Sequence, residues 1–336
     1  MLPTYVSNNG AIVVGPICID GHSDKCLVRV VTHIHQDHIG GLEESSRQSR
    51  FIVATEITHE LLEELGFSIP KRKRVSLRYG ERKYLELNED IVIRLEYAHH
   101  IPGSAQVVIE GDGVYAYTGD FKSVGTRTKP LSGVDVLVID ATYGDPSFKR
   151  PPEEVIFDEF VKLLKTLLSR GPVAIYAYYG KAQEVMAMLR DYGVDAPFIA
   201  SSKHWRIAKR LEKYGFKIDE LFLDGSKEAN EIVRDGWFVK FEHFSKFRNY
   251  RNSVNNNIVS HIALSGWLFE VPIRSIGKNR WIVAFSDHAD FDELIRYVDE
   301  ARPRILVVDA ARGGVIAKRF ANYVRENLKI DAIASP

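Results

Sequence analysis

Residues 31–38 read Val31-Thr32-His33-Ile34-His35-Gln36-Asp37-His38. Three histidines and an aspartate fall within six positions. The apolar run Leu27–Val31 leads into them and Gly40-Gly41 follows, the pattern of a strand that runs into a loop and then a helix. At a strand end, residues i and i+2 point the same way, so His33 and His35 can share one metal. Where the chain bends, Asp37 and His38 can swing to a second. Imidazole and carboxylate suit zinc, and also manganese or iron.

The remainder of the 336 residues bounds the setting. Hydrophobic residues make up 45% and charged residues 27%, which is the balance of a chain with a packed core rather than a disordered one. Lys+Arg and Asp+Glu are both 45, so nucleic acid is not drawn by net charge and any such binding must use local patches. The two cysteines, Cys18 and Cys26, show no metal-ribbon spacing and read as buried thiols of a reducing compartment. Met1-Leu2-Pro3-Thr4 lacks the basic and apolar regions of a signal peptide, and no apolar run reaches a membrane-spanning length of about 18 residues. The expectation is a cytoplasmic protein with no membrane contact.

Strand ends recur as the place where chemistry collects. Gly10–Asp20 reads as one or two strands ending at Asp20. Phe51–Ala54 is a short strand, and Thr55 caps a helix that Gly66 stops. Lys71–Arg74 is a basic run, read chiefly as a solvated face. Ile91–Tyr97 alternates as a strand and ends at His99-His100-Ile101-Pro102-Gly103-Ser104. Gln106–Glu110 and Val114–Thr118 flank a Gly111-Asp112-Gly113 turn as a hairpin, the second strand ending in Gly119-Asp120. Val136–Asp140 is a continuous apolar strand. Loops at strand ends are where α/β scaffolds build sites.

After Arg150-Pro151-Pro152 the texture changes. Residues 153–169 form an amphipathic helix with Val155, Ile156, Phe160, Leu163, Leu164 and Leu167 inward. Strands at Val173–Tyr178 and Pro197–Ala200 alternate with helices after Gly180 and around Trp205, so residues 151–279 read as a second, smaller α/β unit with a parallel sheet. Its stretch Lys240–Arg251 is basic and aromatic, Asn255–Asn257 follows, and Ile258–Leu264 is a further strand. From Trp281 the first pattern returns: a strand to Phe285, then Ser286-Asp287-His288-Ala289-Asp290, a helix capped by Asp290, the strand Ile305–Asp309, and a last helix opened by Gly313-Gly314. Residues 1–150 and 280–336 thus read as one domain interrupted by the middle unit.

Five histidines sit where strand ends converge. His33, His35 and His100 form one ligand set, and Asp37, His38 and His288 a second, with Asp120 bridging. His99 and His100 are adjacent, and the turn after His100 favours it. Two metals about 3.5–4 Å apart can share a water, lower its pKa and clamp a phosphoryl oxygen. Asp20 and Asp140 exceed the ligand count and suit orientation of metal-bound histidines through their second N–H.

The pattern His-x-His-x-Asp-His at 33–38, with His100 and Asp120, resembles the metallo-β-lactamase superfamily. Asp140-Ala141-Thr142-Tyr143-Gly144 and Phe285-Ser286-Asp287-His288-Ala289-Asp290 resemble motifs A and B of its β-CASP branch. His100–Gln106, Tyr117–Lys122, Tyr178–Gln183 and Ser265-Gly266-Trp267 look closest to ligase-associated DNA exonucleases, and the cross-link-repair DNA nucleases share part of this pattern. The resemblance spans nearly the whole chain. It implies an αββα sandwich with an inserted α/β β-CASP cap, two divalent metal ions (zinc, with manganese as the alternative), and a nucleic acid substrate. Branch members acting on RNA carry a histidine after the last strand. Here that position falls on Val308 or Asp309, which tilts the reading towards DNA and leaves the leaving-group acid unassigned.

The expected activity is therefore a two-metal phosphodiesterase, a DNA exonuclease acting on ends, with a metal-bridging hydroxide as nucleophile and Asp37, Asp120, Asp20 and Asp140 as its carboxylates. Ser104, Lys122 and the Gly313-Gly314 helix start are candidates to cradle a flanking phosphate. Lys203–Arg206 and the 241–251 run are candidates to hold a single strand, with the cap's own core as the competing account of their aromatics. The alternatives are an RNA nuclease of the same family, a lactone or thioester hydrolase on the same metal scaffold, and a silent nucleic-acid-binding protein.

Overall fold

The computed structural model describes residues 2–87, 90–248 and 259–336. Tyr250, Arg251 and the Asn255–Asn257 stretch lie outside the described residues. The chain divides into two compact units, Met1–Phe148 with Asp287–Pro336, and Lys149–Ser286.

The first unit holds two sheets. One is ordered Thr4–Val6, Ile12–Val14, Ile17–Ile19, Val28–Val30, Phe51–Thr55, Arg74–Leu77, antiparallel at its first three strands and parallel thereafter. The other is ordered Asp331–Ser335, Ile305–Asp309, Val136–Ile139, Val114–Tyr117, Ala105–Glu110, Asp90–Tyr97, Arg82–Glu86. Its first four strands are parallel and the rest antiparallel. The two-residue period of strands decides the layering. Val28, Val30, Ile93, Val107, Tyr117 and Val138 share one core with both sheets. The alternate residues Val108, Ala116, Leu137, Leu306 and Val308 pack instead with the helices Phe291–Ala301 and Ala310–Asn327. Helices Leu42–Gln48 and Glu56–Leu65 accompany the first sheet, completing the αββα sandwich. Thr55 caps the second of these through Thr58 N–H, and Gly66 ends it in the left-handed region (φ 99°).

The second unit is one sheet ordered Leu221–Leu223, Phe198–Ala200, Val239–His243, Val173–Ala177, Ser260–Leu264, Arg280–Val283, Ile273–Gly277. It is parallel except at the last pair. Helices Glu153–Leu168, Lys181–Asp191, Ser202–Leu211 and Lys227–Asp235 complete it.

Several expectations are corrected here. The strand at Arg280–Val283 pairs with Ser260–Leu264, so it belongs to the second unit, and the chain returns to the first unit at Asp287 rather than at residue 280. An apolar run shows that a strand forms but not which sheet receives it. In the helix Glu153–Leu168 the inward stripe includes Phe157, Val161 and Leu168, whereas Val155 is exposed. The start of the basic-aromatic run is a strand: Phe241 is in the core, and Lys240 is buried against Asp224 at 2.8 Å and Glu242 at 3.5 Å. Lys73 donates to the carbonyls of Ser46 and Arg47, and Arg74 opens a strand and pairs with Glu63, so half of the 71–74 run has structural partners.

Cys18 and Cys26 are bridged rather than free, with Cα atoms 5.6 Å apart. The first lies in the strand Ile17–Ile19 and the second in the turn before Val28, and the parallel pairing of these strands brings the two together. No helix among the described residues is long and apolar enough to cross a membrane.

Candidate metal centre

Strand geometry delivers the first set of groups. Val28–Val30 ends three residues before His33, and the turn after it is tied by the His38 and Ile39 N–H groups donating to the His35 carbonyl. Arg29, fully buried on this strand, donates through Nη2 to the carbonyls of His38 (2.8 Å) and Gly40 (3.4 Å), holding the far side of the turn. Val114–Tyr117 runs into Gly119, which is left-handed (φ 57°). A Cβ at Gly119 would stand 2.8 Å from the Ala105 carbonyl, so only glycine lets the chain turn there and present Asp120.

Asp120 is the hub. Its Oδ2 lies 3.4 Å from His33 Nε2, 3.3 Å from His38 Nε2, 3.6 Å from His100 Nε2 and 3.7 Å from His288 Nε2. His35 enters through Nδ1, 3.0 Å from His100 Nε2. Asp37 Oδ2 is 3.3 Å from His38 Nε2, on the exposed side of the cluster. The structure thus brings together His33, His35, Asp37, His38, His100, Asp120 and His288. His99 points elsewhere, its ring bonded to Ser123 Oγ at 2.8 Å and to Arg127 at 2.7 Å.

Four histidines have their outer nitrogen fixed by an acceptor. His38 Nδ1 donates to Asp20 Oδ2 (2.7 Å), His100 Nδ1 to the Asp287 carbonyl (2.8 Å) and His288 Nδ1 to Asp140 Oδ2 (3.2 Å). Thr32 Oγ1 gives its own hydrogen to Asp20 Oδ2 (2.5 Å) and so accepts from His33 Nδ1 (2.9 Å). Each Nε2 is thereby turned inward. Asp20 reaches its post with φ 50°, a left-handed backbone rare for a residue with a side chain, and its Oδ1 accepts the Thr32 N–H at 2.8 Å.

Burial and charge set the protonation states. Burial, aided by the neighbouring His33, pushes His35 and His100 well below the ordinary imidazole range. Burial opposes ionisation of Asp120, yet His38, His288 and His33 outweigh it and hold the carboxyl well below its usual range. Burial likewise opposes charge on His38, but Asp120 and Asp20 raise it well above the usual value. The neutral His35 and His100 and the ionised Asp120 are already in the forms that bind a divalent cation, whereas His38 would have to give up its proton to do so.

The fit to metal rests on orphaned atoms. Among the described residues, His33 Nε2, His38 Nε2 and Asp120 Oδ1 are buried with no hydrogen-bond partner. Buried polar atoms are rarely left alone, and three of them on neighbouring residues of one cluster fit a cation held there. His33, His35, His100 and Asp120 each offer a ligand atom within 4.8 Å of the others, as do Asp120, Asp140 and His288.

The other expected contacts fare differently. The Ser104 hydroxyl accepts the Ile101 N–H at 3.2 Å, closing its own turn rather than facing outward. Lys122 is buried, so it is not a surface charge; its backbone joins His99 and Thr128. The last helix starts before Gly313-Gly314, because Asp309 Oδ1 accepts the N–H groups of Ala311 and Arg312, and Gly314 (φ 53°, ψ −128°) breaks it. That N-terminus is already satisfied by a carboxylate. Arg312 and Arg29 were missed by sequence reasoning, since an arginine carries no motif and their partners lie on distant turns or on backbone carbonyls.

A family model for the metallo-beta-lactamase superfamily matches residues 30–154. An uncharacterized protein in the lig 3′ region of Acidianus ambivalens is 45% identical over 133 residues, which is 38% of this chain and 91% of that protein. The chain belongs to the metallo-β-lactamase superfamily. The probable RNase MJ4 of Methanocaldococcus jannaschii is 27% identical over 83% of this chain and 80% of its own length. The DNA cross-link repair protein SNM1 of Arabidopsis thaliana is 26% identical over 88% of this chain and 62% of its own. These relatives of the metallo-β-lactamase chain are consistent with β-CASP nucleases, and the chain is a hydrolase of that superfamily. A crystal structure of an Enterococcus faecalis V583 protein of unknown function shares the fold, with TM-score 0.56 and 16% identity, covering 84% of this chain and 74% of that one.

Proposed function

We propose that this metallo-β-lactamase chain hydrolyses phosphodiester bonds in nucleic acid with two divalent metal ions, zinc or manganese, and that it trims DNA from an end. The observation that carries this reading is the convergence of four Nε2 atoms on Asp120 Oδ2 within 3.7 Å, with three buried polar atoms there unpartnered. His33, His35 and His100 would hold one ion, Asp37, His38 and His288 the other, with Asp120 between them. When bound, such ions supply a water of lowered pKa and charge relief on a phosphoryl oxygen. The chain's own part is to hold each imidazole in one tautomer. Asp20 does this for His38 and Asp140 for His288, and Thr32 passes the Asp20 bond on to His33.

The nuclease reading is supported by the nuclease and DNA-repair names of relatives that cover most of the chain. The preference for DNA is supported by the absence of histidine at the position where RNA-acting members carry it, which falls on Val308 or Asp309. Asp309 is engaged with backbone N–H groups and Arg312, so it is not poised as a leaving-group acid. The RNase name of one relative keeps RNA as the second reading.

The test uses chelator-stripped protein, resupplied with manganese or zinc, on end-labelled single-stranded DNA and RNA of one sequence. Faster loss of the DNA label from one end supports the proposal. Equal or faster RNA cleavage reverses the substrate. No cleavage of either, with rapid ester turnover, moves the chain to the small-molecule hydrolases.

A further inference from the structure

The strand Ile305–Asp309 and the helix Ala310–Asn327 meet the centre at Arg312. Arg312 Nη1 donates to Asp309 Oδ2 at 2.5 Å, and Nη2 donates to the Asp20 carbonyl at 2.7 Å and the Asp37 carbonyl at 3.0 Å. Its Nε lies 4.0 Å from Asp37 Oδ2. The guanidinium lies over Gly10, where a Cβ would stand 3.4 Å from its Cζ. Arg312 is 9% exposed and Asp309 fully buried. The Asp309 oxygen not used by the guanidinium takes two helix N–H groups, so the arginine's anchor is itself fixed.

The two carbonyls it holds belong to the residues that most need holding. Asp20 stands on a left-handed backbone and fixes His38. Asp37 is 62% exposed at its side chain, so packing does not place it. One rigid fork spanning three acceptors ties together two turns 17 residues apart in sequence, from a helix almost 300 residues downstream. The geometry points to Arg312 as a positioning residue that, with Asp309, locks the Asp20 and Asp37 turns and so builds the metal position formed by Asp37, His38 and His288. This rests on the two-metal reading of the cluster. It places Asp309 in the architecture of the centre rather than in proton transfer.

The test is titration of chelator-stripped protein with cobalt(II), read by visible absorption and by calorimetry, without substrate. Wild type is expected to take up two ions. Arg312→Met is expected to keep the first at wild-type affinity and to bind the second about ten- to a hundredfold more weakly, the range found when groups supporting a ligand are removed. Arg312→Lys does not restore it, because one ammonium cannot span the three acceptors. Asp309→Asn, which keeps the helix-capping oxygen and loses the ion pair, is expected to weaken the second ion by a smaller factor, and it decides the matter if Arg312→Met does not fold. Two ions bound with unchanged affinity and spectrum in Arg312→Met, or in Asp309→Asn where that variant decides, overturn the inference alone. A wild-type protein that takes up no cobalt overturns the metal reading itself and the clamp with it.

Discussion

Asparagine at position 20 changes one atom and tests the tautomer argument directly. Asp20 Oδ1 accepts from the Thr32 N–H at 2.8 Å, so the amide oxygen must stay there. The amide nitrogen then takes the place of Oδ2, which now accepts from Thr32 Oγ1 and His38 Nδ1. The hydroxyl can rotate and accept. The imidazole can accept only by moving its proton from Nδ1 to Nε2, the atom that faces Asp37 and Asp120. His38 then presents a hydrogen where a lone pair is required. Loss of such support costs about 10- to 100-fold in metal affinity, or about 1.4–2.7 kcal/mol. The assay is competition for zinc or manganese against a chromophoric chelator, with a thermal melt to show that Asp20→Asn is folded. Unchanged affinity for both ions in a folded Asp20→Asn protein would refute the reasoning.

Further outcomes concern the scaffold. His59 is buried, its Nε2 bonded to the Val75 carbonyl at 3.2 Å, and burial lowers its pKa to about 4. Its unfolded form takes a proton near pH 6.5 and its folded form does not, so this group's stability is complete above about 6.5 and lost as pH falls towards 4, by about 3 kcal/mol; denaturant melts should show a shallower acid slope in His59→Gln than in wild type, and identical slopes would contradict it. Gly119→Ala should destabilise by about 1–3 kcal/mol through its positive φ and the Ala105 carbonyl, with metal affinity reduced because Asp120 is displaced; a melt and metal affinity equal to wild type would show that the turn tolerates a side chain. Cys18→Ser should cost about 2–3 kcal/mol of stability in oxidised protein, and mass spectrometry of the unreduced protein should find the chain lighter by two hydrogens; a free-thiol mass would restore the reading of two thiols.

The sequence disclosed most of the centre because strand ends announce themselves. His33, His35 and His38 follow an apolar run, and His100, Asp120 and His288 each follow another, so convergence could be read without coordinates. Asp20 and Asp140 were legible for the same reason, as carboxylates in excess of the ligand count. What stayed hidden is long-range or isotropic. Arg312 meets Asp20 across 292 positions, and no local pattern foretells that. Ser104 was a candidate phosphate donor because a turn serine facing outward and one closing its own turn read alike. Phe241 could be read as a stacking platform or as core because basic neighbours flank it, and it is core, with Lys240 and Glu242 themselves drawn inward as a buried pair. The strand Arg280–Val283 was visible as a strand, but its partner is fixed by pairing, not by composition.

The measurement that bears most directly on the central claim is digestion of end-labelled single-stranded DNA by wild type and Asp120→Ala across a manganese titration. The Nε2 atoms of His33, His38, His100 and His288 all lie within 3.7 Å of Asp120 Oδ2, so its removal takes away the one carboxylate these four share. The account predicts label release by wild type that rises with manganese and vanishes with chelator, and none from a folded Asp120→Ala protein at any manganese concentration. Full activity in Asp120→Ala would contradict it.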